Sequence, residues 1–472
     1  MRFKNLRKLF AKPIDPYRPT LHFAPARGWI NDPNGFIRYG GRYHAFAQHN
    51  PHAPVWGPMH WLHLTSDDMI TFRSHGVALA PEAPYEIEYG CFSGSAIERD
   101  GRMYLMYTGV SDGLQQQCLA SSDDGMRFVK DVRNPVTNAA QLPDEYDPAD
   151  FRDPCVFEKE GMYYCLVAAR RRAGGSSVLL YRSPDLESWT FVSSLLESSA
   201  IRADMFECPN FCTVDGRDVL LVSGQIVEDP KRCNRDKTMA FVGRLELPAG
   251  RFHVDFSQKL DWGFDSYATQ TVSTPDGRRL LMYWMSAWES DYPTQKDGWS
   301  GQFTLPREMS IADEHLRMVP ARELDYYLGA NLGGYRRLSQ VRKSLGKSRG
   351  SFLDFTVTLD GGALGGKLAI GHGADRLELT LQSDHLTIDR SHTHNPIATP
   401  YGLEDQIRDL PLTPGDKHVV RVIVDASLIE IFVDGGAADA CVRFYPSKVD
   451  YSVKIDGFSE GQITLDELRV LR

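Results

Sequence analysis

Nowhere does this 472-residue chain approach the 18 consecutive apolar residues that a membrane-spanning helix needs. Its opening segment, MRFKNLRKLFAKPIDPYRP, is basic, but the only apolar core is Leu9-Phe10, too little for a secretion signal. These two absences predict a cytoplasmic protein with no membrane partner. An excess of positive charge is missing as well. The 53 Lys and Arg against 62 Asp and Glu give a formal charge of −9, which argues against a nucleic-acid partner and for a small, neutral one. The cysteines, at 91, 118, 155, 165, 208, 212, 233 and 441, form no CxxC pair and have no His partner at zinc spacing. Cys208 and Cys212 would be half a metal site, but no second pair exists, so reduced and mostly buried thiols are expected, with no metal and no cofactor.

Three other strings mimic motifs without completing them. SLGKS at 344 resembles the end of a P-loop, yet Val341 stands where the glycine is required. HWLH at 60 and SHTHN at 391 pair histidines without a third ligand. Runs of helical period are also scarce before residue 320, which leaves strands to build the first two thirds of the chain.

What the chain does have is a repeat. A turn glycine followed by an apolar, β-rich run recurs five times, as GGRYHAFAQH, DGRMYLMYTG, EGMYYCLVAA, DGRDVLLVSGQ and DGRRLLMYWM. The glycines at 41, 101, 161, 216 and 277 are spaced by 60, 60, 55 and 61 residues, the signature of a five-bladed β-propeller. SDDMITF at 66, SDDGMRF at 122 and SPDLESW at 183 repeat in phase and are expected at outer-strand turns.

The same register aligns three acids. Asp32 precedes its glycine by nine residues, Asp153 by eight and Glu207 by nine, while Ser93 and Tyr267 take the corresponding places in the second and fifth repeats. Equivalent positions on inner strands open at one end of the propeller axis, so the three carboxylates should face one funnel. Each also sits beside a proline, in NDP, RDP and ECP, and capping a turn is the alternative reading. Three acids crowded together repel, a cost that persists where chemistry uses it. Two carboxylates flanking a glycosidic bond are the minimal machinery of a glycoside hydrolase. Arg152, next to Asp153, would hold one of the acids ionised by charge pairing, and Glu207, in the more apolar MFECPNF, would be pushed towards its protonated form and serve as the proton donor. Trp29, Phe36, Trp56, Trp61, Phe92, Tyr267, Trp284 and Trp288 offer flat faces for sugar rings.

Seven segments in order, WINDPNG, YHAFAQHNPHAPVWGPMHW, CFSGSA, DFRDP, MFECPNF, GFDSYATQ and DYPTQKDGWSGQFTLPRE, resemble glycoside hydrolase family 32, the invertases, levanases, inulinases and sucrose-6-phosphate hydrolases. SLIEIFVDGGAADACVRFYP, from Ser427, is similar to that family's C-terminal sandwich, so the resemblance spans the chain. It implies an all-β fold, a five-bladed propeller followed by an antiparallel β-sandwich, and retaining hydrolysis of β-fructofuranosides. It further implies Asp32 as nucleophile, Glu207 as acid then base, and Asp153 as the group gripping fructose hydroxyls. Asn31, Gln48, Trp56, Ser93 and Arg152 match the fructose subsite, and Phe92, Tyr267 and Trp284 are expected beside them. Departures from the family's usual strings fall at Ala47-Gln48, Leu62-His63, Asn210, Ser266, Thr269 and Gly224-Gln225, and are expected around the leaving-group pocket. GPMHW and DYPTQKDGW most resemble the intracellular sucrose and sucrose-6-phosphate branch.

The expected division is a 1–19 extension, a 20–325 propeller and a 326–472 sandwich. In the last part FLDFTVTL, RLELTLQS, HVVRVIVD and SLIEIFVD alternate as half-buried strands do, DGG at 434 closes a hairpin, and DGGALGGKLAIGHG reads as another. Fructosyl transfer on the same scaffold and a catalytically weak sugar-binding propeller remain alternatives, and a homo-oligomer stays open.

Overall fold

A computed structural model describes residues 15–225, 234–288, 290–332, 351–399 and 403–472. Residues 1–14 of the expected extension and the SLGKS string lie outside the described residues. Five sheets follow one another along the chain, each with four strands laid side by side in sequence order. Their innermost strands are Gly28–Tyr39, Gly90–Arg99, Tyr146–Lys159, Met205–Val214 and Tyr267–Ser273, which define blades one to five. The repeated glycines lie in the turn after each innermost strand. In Gly40-Gly41, Asp100-Gly101, Glu160-Gly161 and Asp215-Gly216 both residues have positive φ, the backbone of the two-residue turn whose twist matches a hairpin.

The phased SDD and SPD strings close the third strands of blades one to three. In each, the aspartate at the third position receives two backbone N–H groups: Asp68 from Ile70 and Thr71, Asp124 from Met126 and Arg127, Asp185 from Glu187 and Ser188.

A four-stranded sheet cannot cover either of its own faces, so each blade stacks on the next. Separate cores result. Phe46, Trp61 and Tyr107 fill the space between blades one and two, Met106, Phe151 and Tyr181 between two and three, and Leu166, Phe206 and Val222 between three and four. Leu221, Leu281 and Tyr283 join four to five, and Ile30, Phe36 and Met282 join five to one. The ring is sealed by Trp299-Ser300, which pairs in parallel with Gly28-Trp29 of blade one.

Two five-stranded antiparallel sheets form the sandwich. Val357, Val422 and Ile431 of one meet Ile370, Leu379 and Ile388 of the other in a single core. The DGG turn at 434 closes the hairpin between Leu428–Val433 and Ala438–Arg443 as expected. DGGALGGKLAIGHG is different: Phe352–Asp360 and Lys367–His372 belong to different sheets, so its first half crosses the sandwich. Only its end, around Gly373, turns a hairpin. Glycine density reports tight turning and is blind to whether the strand pairs or crosses.

Sandwich and propeller meet over Leu305, Leu324, Phe352 and Phe432, and over a buried charge cluster. Arg307 of blade five donates to Glu430 at 2.7 and 3.1 Å and to Asp439, while His22 sits between Asp425, at 3.0 Å, and Glu430, at 2.8 Å. The seven described cysteines are free and buried. No helix among the described residues is long and apolar enough to cross a membrane.

Candidate active site

All five innermost strands are irregular at the same place. In blade one Ile30 pairs with His49 and Pro33 with Ala47, so three steps oppose two. The ladder slips likewise between Phe92 and Gly94, Arg152 and Cys155, Glu207 and Asn210, and Tyr267 and Thr269. Such bulges bend a strand and re-aim its side chains. Pro154 and Pro209 fall inside two of them, where the missing N–H costs no ladder bond, and Pro33 ends a third. Asp153, Cys208 and Ala268 adopt positive φ, of 65°, 47° and 46°. The prolines of NDP, RDP and ECP therefore do mark a backbone feature. It is a bulge that turns the acids to the axis, rather than a surface turn.

Asp32, Asp153 and Glu207 line one cavity of about 270 Å³ at the mouth of the axis, near the lower end of the range of small-molecule sites. The thiol of Cys208 lies 3.5 Å from Asp32 Oδ2 and 3.7 Å from Asp153 Oδ2, so the two aspartates are near neighbours. Ser93 donates to Asp32 Oδ2 at 2.6 Å, whereas Asp32 Oδ1 is buried with no hydrogen-bond partner. Burial pushes the Asp32 carboxyl up to about 6; the Ser93 bond works against this and the charge of Glu207 adds to it. Asp153 is also raised, by burial first, with Arg152 opposing and Glu207 and Asp32 reinforcing. It accepts the Cys208 N–H at 2.9 Å.

Glu207 is held more firmly than its apolar string suggests. Arg152 donates to Oε1 at 2.9 and 3.1 Å, and Gln225 and Tyr267 donate to Oε2, each at 2.8 Å. One expectation is corrected here. Adjacent residues on a strand point to opposite sides, so Phe206 enters the core between blades three and four and leaves Glu207 among polar partners. Arg152 pairs with Glu207 and with Asp150, the latter at 2.6 Å, and its charge also reaches Asp153.

Of the other expected residues, Asn31, Gln48, Trp56, Phe92, Ser93 and Arg152 line the cavity. Tyr267 is buried and reaches it only through Glu207. Trp284 is off the wall: fully buried, it packs behind Trp288, 4.8 Å between ring centres, and it is Trp288 that faces the cavity. Trp29 shares that rear layer, and Phe36 and Trp61 belong to blade cores. Among the family departures only Gln48 and Gln225 line the cavity. Leu62, His63, Asn210, Ser266 and Thr269 are buried elsewhere; the Asn210 side chain, for one, accepts from Thr271 at 2.8 Å. None of these five lines the cavity.

Gln115 and Asp150 complete the wall and were not singled out by the sequence. Asp150 stands two residues before Arg152, on the same side of the strand, and that spacing was its one available signal. Gln115, second residue of the third strand of blade two, accepts from the Phe151 N–H at 2.9 Å and from Arg152 at 3.3 Å, a pairing set by blade stacking.

Comparison with known proteins agrees with this geometry. Residues 22–320 match the family described as "Glycosyl hydrolases family 32 N-terminal domain", and residues 335–472 match "Glycosyl hydrolases family 32 C terminal". A sucrose-6-phosphate hydrolase of Escherichia coli is 34% identical, over 93% of this chain and 92% of its own length. A raffinose invertase of the same organism is 34% identical with the same coverage. Among solved structures, a Bombyx mori GH32 β-fructofuranosidase in complex with sucrose superposes with a TM-score of 0.82 at 30% identity, covering 97% of this chain and 94% of that one.

Proposed function

This chain belongs to glycoside hydrolase family 32, and on that footing we propose that it is a β-fructofuranosidase. Its substrates are sucrose, sucrose 6-phosphate or short fructo-oligosaccharides, from which it removes a terminal β-fructosyl unit. The observation that carries the reading is Asp32: one oxygen is held by Ser93 while the other, unpartnered, belongs to a carboxylate on the cavity wall. Asp32 attacks the anomeric carbon of the fructosyl ring. Glu207 gives its proton to the glycosidic oxygen, the bond breaks, and a covalent fructosyl-enzyme results. Glu207 then takes a proton from water, which releases fructose and regenerates Asp32. Asp153, on the same wall, accepts hydrogen bonds from ring hydroxyls as positive charge builds at the anomeric carbon.

The bonds at Glu207 suit this double role. Arg152 occupies Oε1 with donors alone, whereas the partners of Oε2, a tyrosine hydroxyl and a glutamine amide, can each reorient to accept a bond. A proton is therefore best accommodated on Oε2. Trp56, Phe92 and Trp288 supply apolar faces to the sugar. Seven buried, unbridged thiols fit a reducing, cytoplasmic setting.

The reading is tested with Asp32→Asn and Glu207→Gln on sucrose, sucrose 6-phosphate and kestose, with sugars quantified and the anomer released followed by NMR. The expected result is retention of configuration in the wild type and a loss of at least about a thousandfold in kcat for each variant. Undiminished turnover by Asp32→Asn, or an inverted anomer, would overturn it, and longer fructosides accumulating at high sucrose would mark a transferase.

A further inference from the structure

The charges around Glu207 continue beyond the cavity. Arg152 donates to Asp150 Oδ1 at 2.6 Å; Arg170, on the next strand of blade three, donates to Asp150 Oδ2 at 2.6 Å and to Asp204 at 3.1 Å. Glu207, Arg152, Asp150, Arg170 and Asp204 thus form a chain of alternating charge that starts on the cavity and ends on the surface. The side chains are 14%, 8%, 29%, 28% and 49% exposed in that order, so water screens the outer end far more than the inner one. Asp204 also stands three residues before Glu207, which ties the chain back to the innermost strand of blade four.

We propose that Asp150 and Arg170 are positioning residues that set the proton affinity of Glu207 through Arg152. This rests on the role given above to Glu207 as the proton donor. A donor paired to an unopposed guanidinium would lose its proton too readily to serve near neutral pH. Asp150 claims the remaining guanidinium edge and offsets its charge, and Arg170 in turn moderates Asp150. Burial works against ionisation of Asp150, but Arg152 and Arg170 hold its carboxyl below the usual range, so it carries its charge through the working pH. The other groups facing Glu207 are Asp32 from blade one, Asp153 from blade three, Cys208 beside it, Gln225 from its own blade and Tyr267 from blade five, with Asp236 beyond the tyrosine. None of these is altered by changes at 150 or 170.

The test is the pH profile of kcat/KM on sucrose for wild type, Asp150→Asn and Arg170→Gln. Its Glu207 limb is the one that disappears when the substrate is β-fructosyl fluoride, whose leaving group needs no protonation. Asp150→Asn should move this limb to lower pH by about 0.5–1 unit, and Arg170→Gln should move it to higher pH by roughly half as much. Opposite directions are the decisive feature, since loss of packing would lower the rate at every pH without displacing the limb. Unmoved limbs, or shifts of the same sign in both variants, overturn the proposal. Should Asp150→Asn not fold, the direction of the Arg170→Gln shift decides alone. Full sucrose turnover by Glu207→Gln would instead remove the premise and leave the shifts nothing to act on.

Discussion

Asp32 shows what a single residue sacrifices for the site. A carboxyl raised to about 6 by burial is favoured in its protonated form by the fold, so above pH 6 its charge destabilises the protein. Asp32→Asn keeps the acceptor for Ser93 and removes the charge. It should therefore abolish turnover while adding about 1–3 kcal/mol of stability at pH 7, a gain that vanishes below about pH 4, where the acid is protonated in both states. Thermal melts of both proteins across pH 3–8 check this. Wild-type kcat/KM should also decline as pH falls through about 6, because the attacking oxygen must be ionised. At the cavity wall, Trp288→Ala should raise KM several-fold with a smaller change in kcat, measured on sucrose, because the ring contributes apolar contact and no proton chemistry. The three acids were legible in the sequence because each stands eight or nine residues before a turn glycine. Trp284 and Trp288 were not separable there: four residues apart and identical in type, they differ only in which layer the chain places them.

At the scale of elements, the turn glycines announced the hairpins and the prolines announced the bulges, because both are backbone requirements that few residue types satisfy. Strand partners left no such mark. The pairing of Arg152 with Glu207 needs blades three and four to stack, and the crossing by DGGALGG needs two sheets, neither of which a local string encodes. The ring closure is a comparably nonlocal feature. Gly301 has φ of 83°, and a Cβ there would lie 1.9 Å from the Ile30 carbonyl oxygen, on the strand that carries Asp32. Gly301→Ala should push the closing strand off blade one and cost about 2–4 kcal/mol. A lower melting temperature together with weakened sucrose turnover is the expected outcome, while a variant as stable and active as wild type would show that the closure does not position the site.

For the whole molecule, the joint between propeller and sandwich is ionic at its heart. Burial alone would lower the His22 pKa, but hydrogen bonds and charge from Asp425 and Glu430 outweigh it and lift it to about 9. The protonated form is thus preferred in the fold, and its contribution, on the order of 3 kcal/mol, is full below about pH 6.5 and lost as pH rises towards 9. Wild type should melt at progressively lower temperature over that window, and His22→Gln, less stable at pH 6, should show a flatter dependence; equal slopes would place the pH sensitivity elsewhere. The central claim concerns the cavity, to which three bulged strands bring Asp32, Asp153 and Glu207, with Asp32 as the attacking group. It is tested most directly by acid-quenching the enzyme during turnover of β-fructosyl fluoride and mapping its peptides by mass spectrometry. One hexosyl unit on the peptide containing Asp32, absent from Asp32→Asn, is the predicted result, and an adduct on any other residue would contradict it.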